Sequence, residues 1–252
     1  MSDSGELLRR RARDWHYGSH AAVCDHVEPW EHGTVIRAAR YPTYYMFNAV
    51  LVEDEPGMSA EELTTFAVEA LAGLEHLRLD FDEIDAADTR RVALEALGWK
   101  ATRLLWMHHG RPLPPASEEI EVEEVPYDAV DELRLAWHLE EDDGSEYEQF
   151  KIAAREVSMT RDVRVLAVRE EERPIAFAQL EWAGTGAEIT QVYVHPDRRG
   201  GGRGTAMTRA AILAASDAED LWIVADDEDR PKQLYARLGF EPAWTSMEYL
   251  RI

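Results

Sequence analysis

Cysteine is nearly absent from this chain, with Cys24 alone among 252 residues. A single thiol excludes an internal disulfide framework and fits a reducing compartment. Cys24 itself reads as a small buried residue rather than a nucleophile. No Cys/His spacing suggests zinc, so no metal is expected, and His108-His109 reads as a strand end. Also missing is any apolar run near the roughly 20 residues needed to cross a bilayer. Residues 7–11, Leu-Leu-Arg-Arg-Arg, offer no apolar signal region, so a cytoplasmic location is the expectation. Positive charge is scarce: 27 Lys and Arg stand against 50 Asp and Glu, for a net −23. Such a surface repels nucleic acid and anionic membrane, and neither is expected as a partner. Its plain reading is solubility, and its functional reading is attraction of a cationic amine. What the chain does have is apolar content, 45%, enough to bury a core and exclude a disordered class.

One stretch organises the rest. Residues 188–204, Glu-Ile-Thr-Gln-Val-Tyr-Val-His-Pro-Asp-Arg-Arg-Gly-Gly-Gly-Arg-Gly, read as a strand, a tight turn and a glycine-rich loop opening a helix. Ile189, Val192 and Val194 supply the β-branched residues a buried strand favours, and Pro196 ends the ladder because it lacks an N–H. Gly200, Gly201, Gly202 and Gly204 are expected to take positive φ. From 203 to 215 the apolar residues recur at helical spacing. Loop amides and helix N-terminus then face one point, an anion site, with Arg199 and Arg203 beside it. Here too an absence is informative. A nucleotide P-loop needs a Lys after its last glycine, yet Thr205 follows Gly204. The dinucleotide fingerprint needs a glycine where Thr205 stands.

The spacing that remains is Arg199-x-x-Gly202-x-Gly204, with Val194 five residues upstream. It resembles the pyrophosphate loop of the GNAT superfamily of acyl-CoA-dependent N-acyltransferases. After the helix, residues 221–225 form an apolar run suited to a buried strand. An acidic loop follows, then Pro231 at a first helical position, a helix over 232–238, and Gly239 as its C′ residue. The segment Leu234-Tyr-Ala-Arg-Leu-Gly-Phe240 resembles the second signature of that superfamily, in which a Tyr four residues before the Gly sits near the CoA sulfur.

Along the rest of the chain, residues 1–30 are expected to hold a helix and an irregular aromatic- and His-rich segment without assigned chemistry. Strands are expected at 34–39, 44–53, 76–81 and 101–108, with helices at 60–74 and 88–97. Residues 111–117, Arg-Pro-Leu-Pro-Pro-Ala-Ser, form a Pro-rich linker. Beyond it the expected order is a strand at 119–125, helices at 128–139 and 145–158, a hairpin of 163–169 with 175–182, and then the organising strand. The two halves share an element order: Leu97-Gly98-Trp99 corresponds to Leu238-Gly239-Phe240, and helix 60–74 to helix 203–215. The first half has an acidic loop at 54–59 where the second has glycines, and Leu94 where the second has Tyr235. The expected fold class is therefore α/β, two GNAT-like domains in tandem, each a central mixed sheet flanked by helices. Residues 1–110 form a degenerate domain, 111–117 the linker and 118–252 the catalytic acetyltransferase domain. Tandem members of the superfamily with one degenerate half give precedent.

The resemblance implies direct acetyl transfer from acetyl-CoA as cosubstrate to a primary amine of a small molecule or peptide. A lysine-like amine with a pKa near 10.4 is neutral only about once in a few thousand molecules at pH 7, so a positioned base is useful. Glu188, six residues before Val194, matches the glutamate base of the histone-acetylating branch. On strict alternation it shares a face with Val192 and Val194; its other reading is a solvated strand start. Glu181, Asp142, Asp143 and Glu146 stand in reserve. Tyr235 would protonate or hydrogen-bond the departing thiolate. The backbone of Val192, Tyr193 and Val194 would pair with the pantetheine arm. Amides from Arg199, Gly200, Gly201, Gly202, Arg203, Gly204 and Thr205 would hold the pyrophosphate. Three other readings stay open: an acceptor on a protein N-terminus or lysine, a CoA-binding sensor or scaffold without turnover, and a purely structural module that binds no CoA. Neither half shows a clear sticky stripe, which leaves monomer and homodimer both open.

Overall fold

The computed structural model of the chain describes residues 3–116, 120–141, 147–228 and 230–252. The reserve acids Asp142, Asp143 and Glu146 lie outside the described residues. Helix α1 (Asp3–Val23) precedes strands β1 (His26–Trp30) and β2 (Gly33–Arg37), which pair as a hairpin. The strand expected over 44–53 is shorter than its aromatic and apolar run suggests: a 3-10 turn (Tyr45–Phe47) comes first, and β3 spans Ala49–Val52. The cause is Asn48. Its side chain accepts the Ala38 N–H and donates to the Tyr41 and Tyr44 carbonyls, tying the segment into a turn.

Helix α2 (Ala60–Ala70) and strand β4 (Leu77–Phe81) follow. The helix expected over 88–97 is two helices, α3 (Ile84–Asp88) and α4 (Arg91–Ala96). At the break, the Thr89 hydroxyl turns back onto the Asp85 and Ala86 carbonyls, a bond that competes with the helical ladder. Next come β5 (Lys100–His109), β6 (Glu123–Val125), a 3-10 turn (Tyr127–Val130), α5 (Asp131–Glu141), α6 (Tyr147–Ser158), β7 (Asp162–Glu170), β8 (Arg173–Ala183) and β9 (Gly186–Val194). After a 3-10 turn (Pro196–Arg198), the chain ends with α7 (Arg203–Ala214), β10 (Asp220–Asp226), α8 (Pro231–Arg237) and β11 (Phe240–Arg251). Pro231 takes the first helical turn of α8. Gly239 follows at φ +101, and a Cβ there would lie 2.6 Å from the Arg111 carbonyl oxygen, so only glycine fits.

Contacts divide the chain into two units: Met1–Trp106 with Ala225–Asp229 and Ala243–Ile252, and Met107–Val224 with Arg230–Pro242. In the first, the strand order is β1-β2-β3-β4-β11. β3 and β4 run parallel and the other neighbours antiparallel. Its core gathers Val50, Val52, Leu63, Ala67, Leu71, Leu79, Phe81 and Tyr249. A buried ion triad sits on β4 and β11. Asp80 and Glu248 are directly opposed across the ladder, and Arg78 binds both, at 2.8 Å to Asp80. Arg78→Met would leave two facing carboxylates without their cation. We expect it to cost about 3–5 kcal/mol of stability, read as a lowered midpoint in urea denaturation.

In the second unit the order is β10-β9-β8-β7-β6, with β9 and β10 parallel and the rest antiparallel. The β7–β8 turn is tight, and Glu171 and Glu172 both take left-handed φ, 48° and 69°, the twist a two-residue hairpin requires. Leu133 of α5 and Val130 pack with Val165, Ala167, Phe177 and Tyr193 on one face of this sheet. On the other face, Arg164 of β7 reaches the Ala214 carbonyl at the end of α7.

Candidate active site

The site begins with a defect in a strand. Across β8 and β9, Gln179 faces Gln191 but Leu180 faces Ile189, leaving Thr190 without a partner residue. This β-bulge reverses the alternation of β9. Val192 and Val194, opposite Ala178 and Ala176, stay on the α7 face with Ile189. Glu188, opposite Glu181, shares the α5 face with Gln191 and Tyr193. The expectation that Glu188, Val192 and Val194 share a face is therefore corrected: straight alternation fails wherever a residue is inserted. On its other edge β9 pairs with β10 only from Gly186↔Asp220 to Ile189↔Ile223. From Thr190 to Val194 the strand runs on beyond that pairing, with the Val194 carbonyl accepting from Arg199.

The glycine loop follows that stretch. Gly200, Gly201 and Gly202 take φ values of +86°, +57° and +74°, three successive left-handed residues that a side chain would strain. Gly202 caps α7 with no side-chain hydrogen bond, and the first intrahelical amide is that of Ala206, on the Gly202 carbonyl. The amides of Arg203, Gly204 and Thr205 thus lack helical partners, with the positive end of the helix dipole behind them. Gly204, expected at positive φ, instead lies in the first turn of α7. A Cβ on it would come to 3.7 Å from Leu234 and 4.0 Å from Val194, which marks where α7, α8 and the end of β9 converge. Beside Leu234 on α8 is Tyr235, 7% exposed, its ring 6.2 Å from that of Phe240 and steeply tilted to it.

Both loop arginines are engaged. Arg199 binds Glu140 at 2.6 and 2.9 Å and donates to the Val194 carbonyl at 3.2 Å. Arg203 binds Glu170 at 2.8 Å, a carboxylate shared with Arg198. The Tyr193 hydroxyl also donates to Glu140, at 2.6 Å. Tyr193 and Arg199 together hold Glu140 below the usual carboxylate range, while burial and that carboxylate push the Tyr193 phenol up. Since acids compensate both guanidinium groups, the attraction for an anion rests mainly on the backbone amides. Glu140 lies one residue past the helix expected over 128–139, in the last turn of α5. No local pattern links it to Tyr193 and Arg199, far along the chain.

The other acids of the α5 face form a connected network. Glu181 accepts from Gln179 at 2.7 Å, Ser158 at 3.2 Å and Thr190 at 3.3 Å, and pairs with Arg161 at 3.4 Å. With its acceptor sites taken by four donors, Glu181 is a structural hub, poorly placed to take a proton from a substrate. Glu188 has 14% of its side chain exposed, and Arg161 lies 3.9 Å away. A polar and aromatic cavity opens on the same face between α5 and α6, and Gln191 forms part of its wall.

The first unit has the corresponding elements without these features. β3 and β4 stay paired to Val52↔Phe81, and the Asp82 amide continues onto the Val52 carbonyl, so that ladder does not open. The N-terminus of α2 is closed by a capping box: the Ser59 hydroxyl accepts from the Glu62 amide, and Glu62 accepts from the Ser59 amide. The Ser-x-x-Glu pattern of residues 59–62 is the sequence signature of this box. The preceding acidic loop is anchored by Glu55 on Arg90.

Residues 161–242 match the family model described as an acetyltransferase (GNAT) domain. No curated protein matches the chain. Among solved structures, a conserved protein of unknown function from Staphylococcus epidermidis is similar at 15% identity, covering 90% of this chain and 94% of its own, with a TM-score of 0.70. A GCN5-related N-acetyltransferase from Kribbella flavida is similar at 16% identity, over 97% of this chain and 95% of its own, with a TM-score of 0.58. Another from Sphaerobacter thermophilus shares 13% identity over 86% and 75%, with a TM-score of 0.51. At these identities the likeness is one of fold, and it extends over both halves of the chain. Among the described residues, no helix is long and apolar enough to cross a membrane, and no cluster of metal-ligating side chains occurs.

Proposed function

From the match of residues 161–242 to an acetyltransferase (GNAT) domain, we propose that the chain moves an acetyl group from acetyl-CoA directly to a primary amine of a small molecule or peptide. One observation carries the reading. The second unit has a β9 strand that runs on past its β10 pairing beside an uncapped helix N-terminus, whereas the first has a closed ladder and a capped helix. Only the second is built to take a pantetheine arm and an anionic pyrophosphate. Val192 and Val194 offer backbone groups to the arm, with Tyr193 between them. Amides from Gly200 through Thr205 face the pyrophosphate, and Gly200, Gly201 and Gly202 keep that approach clear; the Arg199 amide, expected among them, is instead bonded to the Pro196 carbonyl at 3.2 Å. Tyr235 donates to the departing thiolate. Residues 118–252 are then the catalytic domain, and residues 1–110 serve a structural or substrate-shaping role.

The bulge gives the two substrates separate faces. Val192 and Val194 point toward α7 and the pyrophosphate loop. Glu188 lies with Gln191 on the face that carries the cavity, the side from which an amine approaches. Glu188 is thus the proposed base, acting directly or through water, with Arg161 3.9 Å away. Glu188→Gln is expected to raise the apparent pKa of the kcat/KM profile for amine substrates and to lower the neutral-pH rate by about 10²-fold. An unshifted profile would reduce Glu188 to a scaffold role. The experiment that tests the whole reading is calorimetric titration with acetyl-CoA, followed by thiol release with a panel of amines. Binding without turnover on any amine would point to a sensor or scaffold, and no binding at all to a structural module.

A further inference from the structure

We infer that the acceptor amine carries an aromatic ring and that the ring is held in the cavity between α5 and α6; the inference rests on the acetyltransferase reading above. The cavity has a volume of ≈ 120 Å³, smaller than a drug-sized site and on the scale of the roughly 150 Å³ that holds a single benzene ring. Five of its lining residues carry rings: Tyr127, Trp137, His138, Tyr147 and Phe150. These rings are already packed and need little rearrangement. His138 stacks on Phe150 with centroids 5.2 Å apart at 22°, and Trp137 is backed by Tyr193 at 5.7 Å and 13°. The Arg134 guanidinium covers Tyr127 at 3.8 Å and is fixed in turn by Gln179 at 2.8 Å.

The charges decide which end of the substrate enters. Among the described lining residues Asp131 is the one carboxylate, and it is bound by both Arg134, at 3.2 Å, and Lys151, at 2.8 Å. An ammonium entering this cavity would meet two cations sharing one anion. The reacting amine therefore stays outside, and the group inside is flat and apolar, suited to stacking on the walls. The way out leads to the right place. Gln191 belongs both to the cavity wall and to the stretch of β9 beyond its β10 pairing, just past the bulge, the stretch proposed to hold the thioester end of the donor. A primary amine on a short chain from an aromatic ring spans from cavity to strand. Two sources share this chemistry, an arylalkylamine and an aromatic amino acid. A carboxylate on the second would meet Lys151 and Arg134.

The test uses the full chain and separates the two levels of the argument. Acetyl-CoA is first titrated alone by calorimetry. Thiol release is then compared for 2-phenylethylamine, phenylalanine and n-hexylamine. We expect kcat/KM for at least one aromatic amine to exceed that for n-hexylamine by about ten- to a hundred-fold. Ala154 also lines the cavity, and Ala154→Phe should raise the aromatic amine's KM about ten-fold with the KM for acetyl-CoA unchanged. Turnover of phenylethylamine over phenylalanine identifies an arylalkylamine, and the reverse an amino acid. Equal turnover of n-hexylamine, or no turnover of any of the three by protein that binds acetyl-CoA, overturns the ring-binding inference and leaves the acetyltransferase reading standing. An Ala154→Phe variant that folds and keeps wild-type amine kinetics does the same. Absence of acetyl-CoA binding removes both.

Discussion

Gly202→Glu is expected to reduce acetyl-CoA affinity by at least about 100-fold, and two physical effects add to that loss. Gly202 holds φ +74° as the N-cap of α7, a left-handed conformation that costs an L-residue roughly 1–2 kcal/mol, so the loop relaxes away from its cradle. The new carboxylate then sits at the positive end of the helix dipole, where it competes with the pyrophosphate for the amides and repels it. Anionic groups are favourable at such a position by about 0.3–1 kcal/mol, which means the variant protein supplies its own anion. The control is Leu213→Glu, the same added charge on the same helix at a residue 58% exposed, where affinity should be retained. Calorimetry of both variants, with thermal melts to show that each is folded, makes the comparison. Unchanged affinity in Gly202→Glu would remove the pyrophosphate assignment.

The parts of this site that were legible in the sequence are those fixed by local chemistry. The strand before Pro196, the three glycines, Pro231 at the start of α8 and Gly239 behind it each carry a backbone constraint that a single residue type satisfies. The bulge at Thr190 was illegible for the opposite reason. Residues 188–194 alternate acceptably as a straight strand, and the inserted residue becomes evident only when the β8 partners are known. That one residue moves Glu188 to the other face from Val192 and Val194, so an argument about catalysis from spacing alone put the base on the donor side. The Glu140 contacts to Tyr193 and Arg199 were hidden for a related reason. In a chain with 50 acids, sequence gives no means of telling which one meets a given arginine. Asn48 shows the same limit in the first half, where side-chain to backbone bonds turned an apparent strand into a turn.

That first half also sharpens what the second is for. Both units have a parallel strand pair leading toward a helix N-terminus, yet in one the strands stay zipped and Ser59 with Glu62 satisfies the helix amides. A site of this kind is lost by satisfying its own hydrogen bonds, with no need to unfold anything. Conversely, three successive left-handed glycines and an uncapped helix N-terminus carry a cost in chain entropy and unmade hydrogen bonds that a bound anion would offset.

Tyr235→Phe is the second large effect, and it separates chemistry from binding. The ring packs near Phe240 in a buried position, and phenylalanine preserves that packing, so the melting temperature should fall little, by the equivalent of about 1 kcal/mol for a lost hydrogen bond. The pyrophosphate loop is untouched, and acetyl-CoA should bind with its affinity nearly intact. What disappears is the hydroxyl proposed to stabilise the departing thiolate. We expect kcat to fall about 10²-fold, toward the lower end of what one positioned acid contributes, with no compensating change in KM, the pattern of an interaction made only in the transition state. Stopped-flow measurement of thiol release at saturating amine reads this directly. A wild-type rate would mean that solvent or another group protonates the thiolate, and Tyr235 would then be a packing residue of α8. A fall in acetyl-CoA affinity matching the fall in kcat/KM would mean that the hydroxyl holds the donor in its ground state. Only loss of kcat at constant affinity supports a role for the phenol in the transfer step itself.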